Sequence, residues 1–285
     1  MPTLAERLKD AVRQLESISE TPRLDAEILL AHALGYSRAQ LLARLRDEML
    51  VSDFEPLLTR RLNHEPIAYI TGHWEFFSLE FLVRPPVLVP RPETEHLVET
   101  ALKFLSHGTT ETSTVLDIGT GTGCVAVAIA KNAVKAHVTA IDIRPEALEL
   151  ARENARKHAV EIDFYEGDLF EAFRGIPKTF DVIVSNPPYV EEGEWERLSP
   201  VIRKHEDPGA LLAGPDGLTV IRRIVSASSE YLHAGGLIAL EIGERQSPAV
   251  AALMADAGFA DIRFVRDLAG IDRIARGIKQ HNYVE

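Results

Sequence analysis

The chain has 285 residues, 46% hydrophobic, 26% charged and only 7% aromatic, and 31 Lys and Arg against 43 Asp and Glu give a formal charge of −12. That composition fits a globular protein of one large or two modest domains, with a core that needs no cross-links, and it speaks against affinity built on phosphate neutralisation. A single cysteine, Cys124, excludes internal disulfides and any CxxC site, and the longest apolar run, about seven residues at 124–130, falls far short of the roughly twenty a membrane span needs.

The N-terminus reaches Glu6, Arg7, Lys9 and Asp10 before any hydrophobic stretch develops, unlike a secretory signal, so a reducing, cytoplasmic setting is expected. Residues 3–72 read as helical throughout. Leu4, Leu8, Val12 and Leu15 form one stripe behind Thr3 as N-cap. A second helix opens at Thr21-Pro22, carries Leu24, Ile28, Leu29 and Leu34, and stops at Gly35. Shorter helices follow at 37–44 and 52–63, so residues 1–72 are expected to form a small helical bundle. Between Gly72 and Pro92 the texture turns aromatic and β-branched, then proline-rich at 85, 86, 90 and 92, which predicts a hairpin and a stiff linker over 73–92.

From residue 93 to 285 strands and helices alternate. Helices are predicted at 94–105, 124–132, 145–158, 218–232 and 249–257, and strands at 114–118, 137–141, 162–165, 181–185 and 237–242. This alternation predicts an α/β domain with a mostly parallel sheet covered on both faces. Segments 259–265 and 273–276 close the chain as a hairpin, which places an antiparallel strand at the sheet edge.

The first of these strands runs into Asp117-Ile118-Gly119-Thr120-Gly121-Thr122-Gly123. Glycines there let the backbone turn sharply and approach a ligand closely. The dinucleotide fingerprint G-x-G-x-x-G fails, because Cys124 holds the third glycine's place, and Asp117 suits a cationic ligand better than a pyrophosphate. Asp142 ends the second strand, 25 residues further on, where a carboxylate typically accepts from ribose hydroxyls. D-x-G-x-G-x-G with a later acidic residue resembles the Rossmann-like class I S-adenosylmethionine-dependent methyltransferase fold. The plainer reading is a tight strand–helix turn beside two carboxylates.

A second motif, Asn186-Pro187-Pro188-Tyr189, follows the strand 181–185 at the carboxyl edge, where open α/β sheets bind ligands. Two prolines fix the direction of their carbonyls, Asn186 offers a paired donor and acceptor, and Tyr189 adds a flat face. Together they suit a planar group bearing an NH2. An amide or aromatic amine nitrogen is a poor nucleophile, so its transfer chemistry depends on placement and on acceptors aimed at its N–H groups rather than on a strong base.

The combination resembles the HemK-like glutamine N5-methyltransferases. Beyond Asn186–Tyr189 the likeness runs through Glu65-Pro66-Ile67-Ala68-Tyr69-Ile70-Thr71-Gly72, through Leu88-Val89-Pro90-Arg91-Pro92-Glu93-Thr94-Glu95, and through Glu241-Ile242-Gly243 with Gln246. The helical N-terminal part is similar to the extra domain of the branch acting on peptide-chain release factors, whose substrate is the glutamine of a Gly-Gly-Gln loop. The resemblance implies S-adenosylmethionine as cofactor and a release factor as partner, with no membrane and no direct nucleic acid required. It implies that Asp117 and residues Gly119, Thr120, Gly121, Thr122 and Gly123 surround the methionine part, Asp142 the ribose, and Asp168 with the Leu169 backbone the adenine edge. Asn186 and the Pro187 carbonyl would bind the substrate amide, with Pro188 and Tyr189 beside it; Asn186, Pro187 and Tyr189 are the catalytic candidates, and Asn186 also borders the cofactor. Glu93 and Thr94 would lie near the cofactor mouth, or simply cap a helix.

One departure stands at Glu206-Asp207-Pro208, where the family pattern places proline directly after the glutamate. The other standouts read as structural. Cys124 packs beside the glycine loop, His64 and His73 lack partners at metal-ligand spacing, and Arg60-Arg61 and Arg222-Arg223 are solvated faces. Rival readings are an adenine-N6 methyltransferase of DNA or RNA, a glutamine methyltransferase of a ribosomal protein, a non-catalytic binding module, and a dinucleotide oxidoreductase.

Overall fold

A computed structural model describes residues 1–107 and 112–280. The chain divides into two compact units, and the division does not follow chain order. One unit comprises Met1–Trp74 with Val83–Pro86 and Leu198–Glu206; the other comprises Glu75–Leu82, Val87–Arg197 and Asp207–Glu285.

The first unit is built from helices α1 (Leu4–Leu15), α2 (Pro22–Leu34), α3 (Arg38–Ala43), α4 (Phe54–Leu62) and α5 (Ile67–Thr71). Thr3 opens α1 with a reciprocal cap: its hydroxyl accepts from the Glu6 amide at 3.2 Å, and the Glu6 carboxylate accepts from the Thr3 amide at 2.8 Å. Pro22 begins α2, and Gly35, at φ 64°, ends it in the left-handed conformation glycine tolerates best. Leu4, Leu15, Leu29, Leu30, Phe54 and Leu58 meet in one core.

One expectation fails in this unit, and α2 also packs in a way its leucines do not announce. Leu24 lies outside the core at 38% exposure, and Asp25 and Glu27 are buried on α2 instead. Arg60 and Arg61 are not a solvated face. Arg61 is buried and donates to Asp25 at 2.7 Å, while Arg60 grips Glu65 through two nitrogens at 2.8 and 2.5 Å. The reason for Arg61 is that α2 is apolar on most sides, so Asp25 sinks with it and draws that guanidinium inward, whereas Arg60 answers Glu65.

Strands β1 (His73–Phe76) and β2 (Leu79–Leu82) pair in the expected hairpin, turning at Phe77 and Ser78 with φ of 51° and 58°. Two consecutive left-handed residues match the right-handed strand twist even without glycine.

In the second unit a seven-stranded sheet is made of β3 (Ser113–Ile118), β4 (Ala136–Asp142), β5 (Ile162–Glu166), β6 (Phe180–Ser185), β7 (Leu232–Glu241), β8 (Phe259–Arg266) and β9 (Asp272–Lys279). Their order across the sheet is β5-β4-β3-β6-β7-β9-β8. β3 to β7 pair in parallel; β9 runs antiparallel to both β7 and β8. The closing hairpin therefore places its reversed strand one position in from the edge, and the edge strand β8 runs with the others.

Helices α6 (Glu95–His107), α7 (Cys124–Asn132), α8 (Pro145–Lys157), α9 (Pro200–His205), α10 (Thr219–Tyr231) and α11 (Ser247–Asp256) are the further α-helices among the described residues. Alternate strand residues sort to opposite faces: Val115, Val182 and Leu237 join Leu97 and Val125 of α6 and α7, whereas Leu116, Ile183 and Ile238 join Ile221 and Val250 of α10 and α11. Among the described residues no helix is long and apolar enough to cross a membrane. The strand order reverses between β3 and β6, which opens a crevice at their carboxyl ends.

Candidate active site

Both motifs leave the sheet at that reversal. Ile118 at the end of β3 is paired with Ser185 at the end of β6, and the Ser185 hydroxyl donates to the Ile118 carbonyl at 2.7 Å. The glycine loop and Asn186 therefore start side by side.

Gly119, Gly121 and Gly123 have φ of 71°, 55° and 80°, all in the left-handed region. A Cβ added at Gly119 would meet only open space, and one at Gly121 would meet only Val87 at 3.9 Å. At Gly123 it would come within 3.0 Å of Ala151 on α8. The first two glycines thus leave a cradle open and the third lets α7 approach α8.

Asp117 is buried and accepts from the Thr120 hydroxyl at 2.6 Å. Burial pushes its carboxyl up to about 7, against the pull of Thr120 and the Ala126 amide. Thr122 is buried, and its carbonyl accepts from Asn154 at 2.9 Å, tying the loop to α8. Asp142 accepts from the Gly121 and Arg144 amides, both at 2.9 Å. Burial raises this carboxyl too, and those amides lower it. A carboxylate has acceptor capacity for about four hydrogens, so Asp142 retains room for ribose hydroxyls.

Gly167 hangs from the Asp142 carbonyl at 3.0 Å, which brings Asp168 and Leu169 to the same end of the sheet. The Asp168 carboxylate is held by Arg223 of α10 at 2.8 Å, and Leu169 takes φ 53°, a conformation a leucine rarely adopts. Backbone strain of this kind clusters at ligand sites.

Asn186 is half-buried, and its amide nitrogen donates to the Thr94 hydroxyl at 3.0 Å. Thr94 donates in turn to Glu241 at 2.6 Å, and the Tyr189 hydroxyl donates to the other Glu241 oxygen at 3.2 Å. Pro187 is buried and Pro188 half-buried, so the turn between Asn186 and Tyr189 is fixed by packing as well as by proline. Gln246 clamps Tyr189 from the rear: its amide nitrogen donates to the Tyr189 carbonyl at 3.0 Å and its oxygen accepts from the Gly243 amide at 2.9 Å. A Cβ at Gly217 would strike that clamp, 2.6 Å from the Gln246 nitrogen.

The structure thus brings together Asp117, the glycine loop, Asp142, Asp168, Leu169 and the Asn186–Tyr189 turn at one edge of the sheet. Asp207 pairs with Arg144, and its carboxylate accepts from the Gly209 amide at 2.9 Å. It thereby builds a turn of its own where the family pattern has proline. Sequence reasoning set Thr94 at the cofactor mouth or in a helix cap and left Glu241 without a role; the only signal for pairing them was that both lie in strings shared with the resembled family.

Residues 95–202 match the methyltransferase small domain family, and residues 6–72 match the PrmC N-terminal domain family. A release factor glutamine methyltransferase of Geobacter sulfurreducens is 41% identical over 262 residues, covering 90% of each chain. One of Vibrio cholerae is 41% identical over 280 residues, covering 96% of each. Among solved structures, a methyltransferase from Pyrococcus furiosus covers 80% of this chain and 100% of its own at a TM-score of 0.53, with 20% identity, a likeness of fold alone. Identity at this level over nearly the whole length, across both units, shows that the chain belongs to the release factor glutamine methyltransferase family.

Proposed function

We propose that this chain transfers a methyl group from S-adenosylmethionine to the side-chain amide nitrogen of the glutamine in the Gly-Gly-Gln loop of peptide-chain release factors. The observation that carries the reading is the pairing of Ile118 with Ser185, which starts the glycine loop and the Asn-Pro-Pro-Tyr turn next to each other. The residues suit the cofactor: open space at Gly119 and Gly121, a buried carboxylate at Asp117 for a cationic group, and Asp142 with spare acceptor capacity for a ribose. Asp168 and the Leu169 backbone are assigned to the adenine edge. When bound, S-adenosylmethionine supplies a methyl group made electrophilic by the sulfonium.

The rest falls to the chain. The Asn186 oxygen and the Pro187 carbonyl accept the two N–H groups of the substrate amide, while Pro188 and the Tyr189 ring confine its plane. As the nitrogen gains positive charge these hydrogen bonds strengthen, so they stabilise the transition state more than the bound substrate. The nitrogen, once acidic, gives its extra proton to water, so no strong base is needed, and S-adenosylhomocysteine is the leaving product. Residues 1–72 are assigned to holding the body of the release factor, because one amide offers too little surface for selectivity. A substrate used in translation places the reaction in the cytoplasm.

The test incubates the full chain and isotope-labelled S-adenosylmethionine with a release factor, its Gln→Ala loop variant, and duplex DNA, then locates the label by mass spectrometry. Label on the loop glutamine alone is expected. Label on adenine would overturn the substrate. Asn186→Ala should lower transfer by about 100- to 1000-fold, the loss typical of a transition-state hydrogen bond, while cofactor binding survives.

A further inference from the structure

Glu241 ends β7 almost fully buried, at 1% exposure, and the reaction as described gives it no part. Its carboxylate is a junction: one oxygen accepts the Thr94 hydroxyl at 2.6 Å and the other accepts the Tyr189 hydroxyl at 3.2 Å. Thr94 itself accepts from the Asn186 amide at 3.0 Å. While Glu241 is ionised, the direction of this chain is forced. A threonine hydroxyl owns one proton, and here a carboxylate takes it. Only lone pairs remain for Asn186, so the amide must give its NH2 to Thr94 and keep its oxygen for another donor. A neutral group at position 241 can donate as well as accept, so it no longer commits the Thr94 proton. The Asn186 amide is then free to reverse and present a donor where two substrate N–H groups need acceptors.

We propose that Glu241 is a positioning residue for methyl transfer, acting through the Thr94 hydroxyl to hold the Asn186 oxygen as acceptor and through the Tyr189 hydroxyl to hold that ring. This rests on the glutamine-methylation reading. A hydrogen-bonded chain that ends on a charge is polarised along its length, so ionised Glu241 also makes the Asn186 oxygen a stronger acceptor as positive charge develops on the substrate nitrogen. Facing Glu241 are Glu93 and Thr94 from the turn before α6, Tyr189 from the loop after β6, Arg273 from β9 and Cys124 from α7. Burial pushes its carboxyl up to about 7; Thr94, Tyr189 and Arg273 pull it down and Glu93 pushes it up.

The experiment measures kcat for release factor methylation at saturating cofactor, from about pH 5.5 to about pH 9, for wild type, Glu241→Gln, Thr94→Val, Thr94→Ser and the Glu241→Gln/Thr94→Val double variant. Cofactor affinity and thermal unfolding are read on each. Glu241→Gln and Thr94→Val are expected to lower kcat about 10- to 100-fold with cofactor affinity kept. The double variant should lose no more than the worse single, because one chain is cut in either case, and Thr94→Ser should recover the loss seen with Thr94→Val. Wild-type kcat should fall as pH drops below about 7, and Glu241→Gln should lose that dependence.

A Glu241→Gln kcat within about twofold of wild type, single losses that multiply in the double variant, or identical pH profiles for wild type and Glu241→Gln would each overturn the positioning role. If Glu241→Gln does not fold, Thr94→Val against Thr94→Ser decides, and equal rates overturn it. A wild-type chain that leaves the glutamine unlabelled overturns the substrate reading, and the proposal falls with it; an active wild type with an indifferent Glu241→Gln overturns the positioning role alone.

Discussion

A carboxylate shut away from water loses the hydration of its charge, and burial for that reason pushes Asp117 and Glu241 both up to about 7. Cys124 feels both, and burial pushes its thiol up to about 12, so it packs as a small apolar side chain rather than reacting. For Asp117 the consequence is a linkage between cofactor and protons. Its folded value of about 7 lies above the ordinary 3.8, so the ligand-free fold takes up a proton between those values and loses stability as pH rises through that window. A cationic ligand favours the ionised form. Binding at about pH 6.5 should therefore release a proton, and affinity should weaken as pH falls below about 7, by up to about tenfold per unit. Calorimetry in buffers of different ionisation enthalpy measures the released proton directly, and Asp117→Asn should abolish the release and weaken binding. Absence of proton release from wild type would remove Asp117 from the cofactor site. Asp117 was legible because the glycine motif is local: its residues are neighbours in the chain and each has a turn to make. Glu241 was not, because Thr94 lies 147 residues away and only the folded sheet joins them.

The buried side of an element was legible wherever one face is apolar and not where most of the surface is. α1 shows a clean stripe, with Leu4, Leu8 and Leu15 buried as its spacing requires. α2 carries leucines on nearly every side, so periodicity does not say which to bury, and the structure leaves Leu24 outside and takes Asp25 in. Once Asp25 is inside, Arg61 must follow it. A buried pair of this kind is strongly destabilising to break, because the partner left behind keeps an uncompensated charge, whereas replacing both partners by apolar groups often costs little. Asp25→Ala should cost about 3–5 kcal/mol in the helical unit, and Asp25→Leu with Arg61→Met should cost far less. Trp74 packs against the helical core and reports its unfolding, provided Trp195 is first replaced by phenylalanine. Urea titrations in that background measure both variants. A double variant as unstable as Asp25→Ala alone would mean that the pair is held for its shape rather than its charge.

At the scale of the molecule, alternation of strand and helix gives the methyltransferase unit plainly, but the membership of the helical unit cannot be read along the chain. Segment Leu198–Glu206, which contains α9, belongs with the helices of the N-terminal part although more than a hundred residues of sheet domain precede it. α9 buries no residue of its own, and nothing in its short polar sequence announces a partner. What ties it in place is tertiary: His205 meets the Asn63 carbonyl at 3.2 Å, and the neighbouring Glu206 is buried. Stability is distributed in cooperative units, and amides in one unit open together. The amides of Arg203 and Glu206, bonded within α9 at 3.1 and 2.9 Å, should thus lose protection with those of Leu29 and Leu30 in α2. The amides of Val182 and Val184 in β6 should open separately. Hydrogen exchange read across a series of low denaturant concentrations makes the comparison. Were α9 to open together with β6, the discontinuous unit would be a matter of proximity without cooperativity. If α9 opens with α2, then deleting residues 1–72 removes the partners of a segment that follows the Asn-Pro-Pro-Tyr turn by only nine residues, and any loss of activity in the truncated chain reflects that segment as well as the missing bundle.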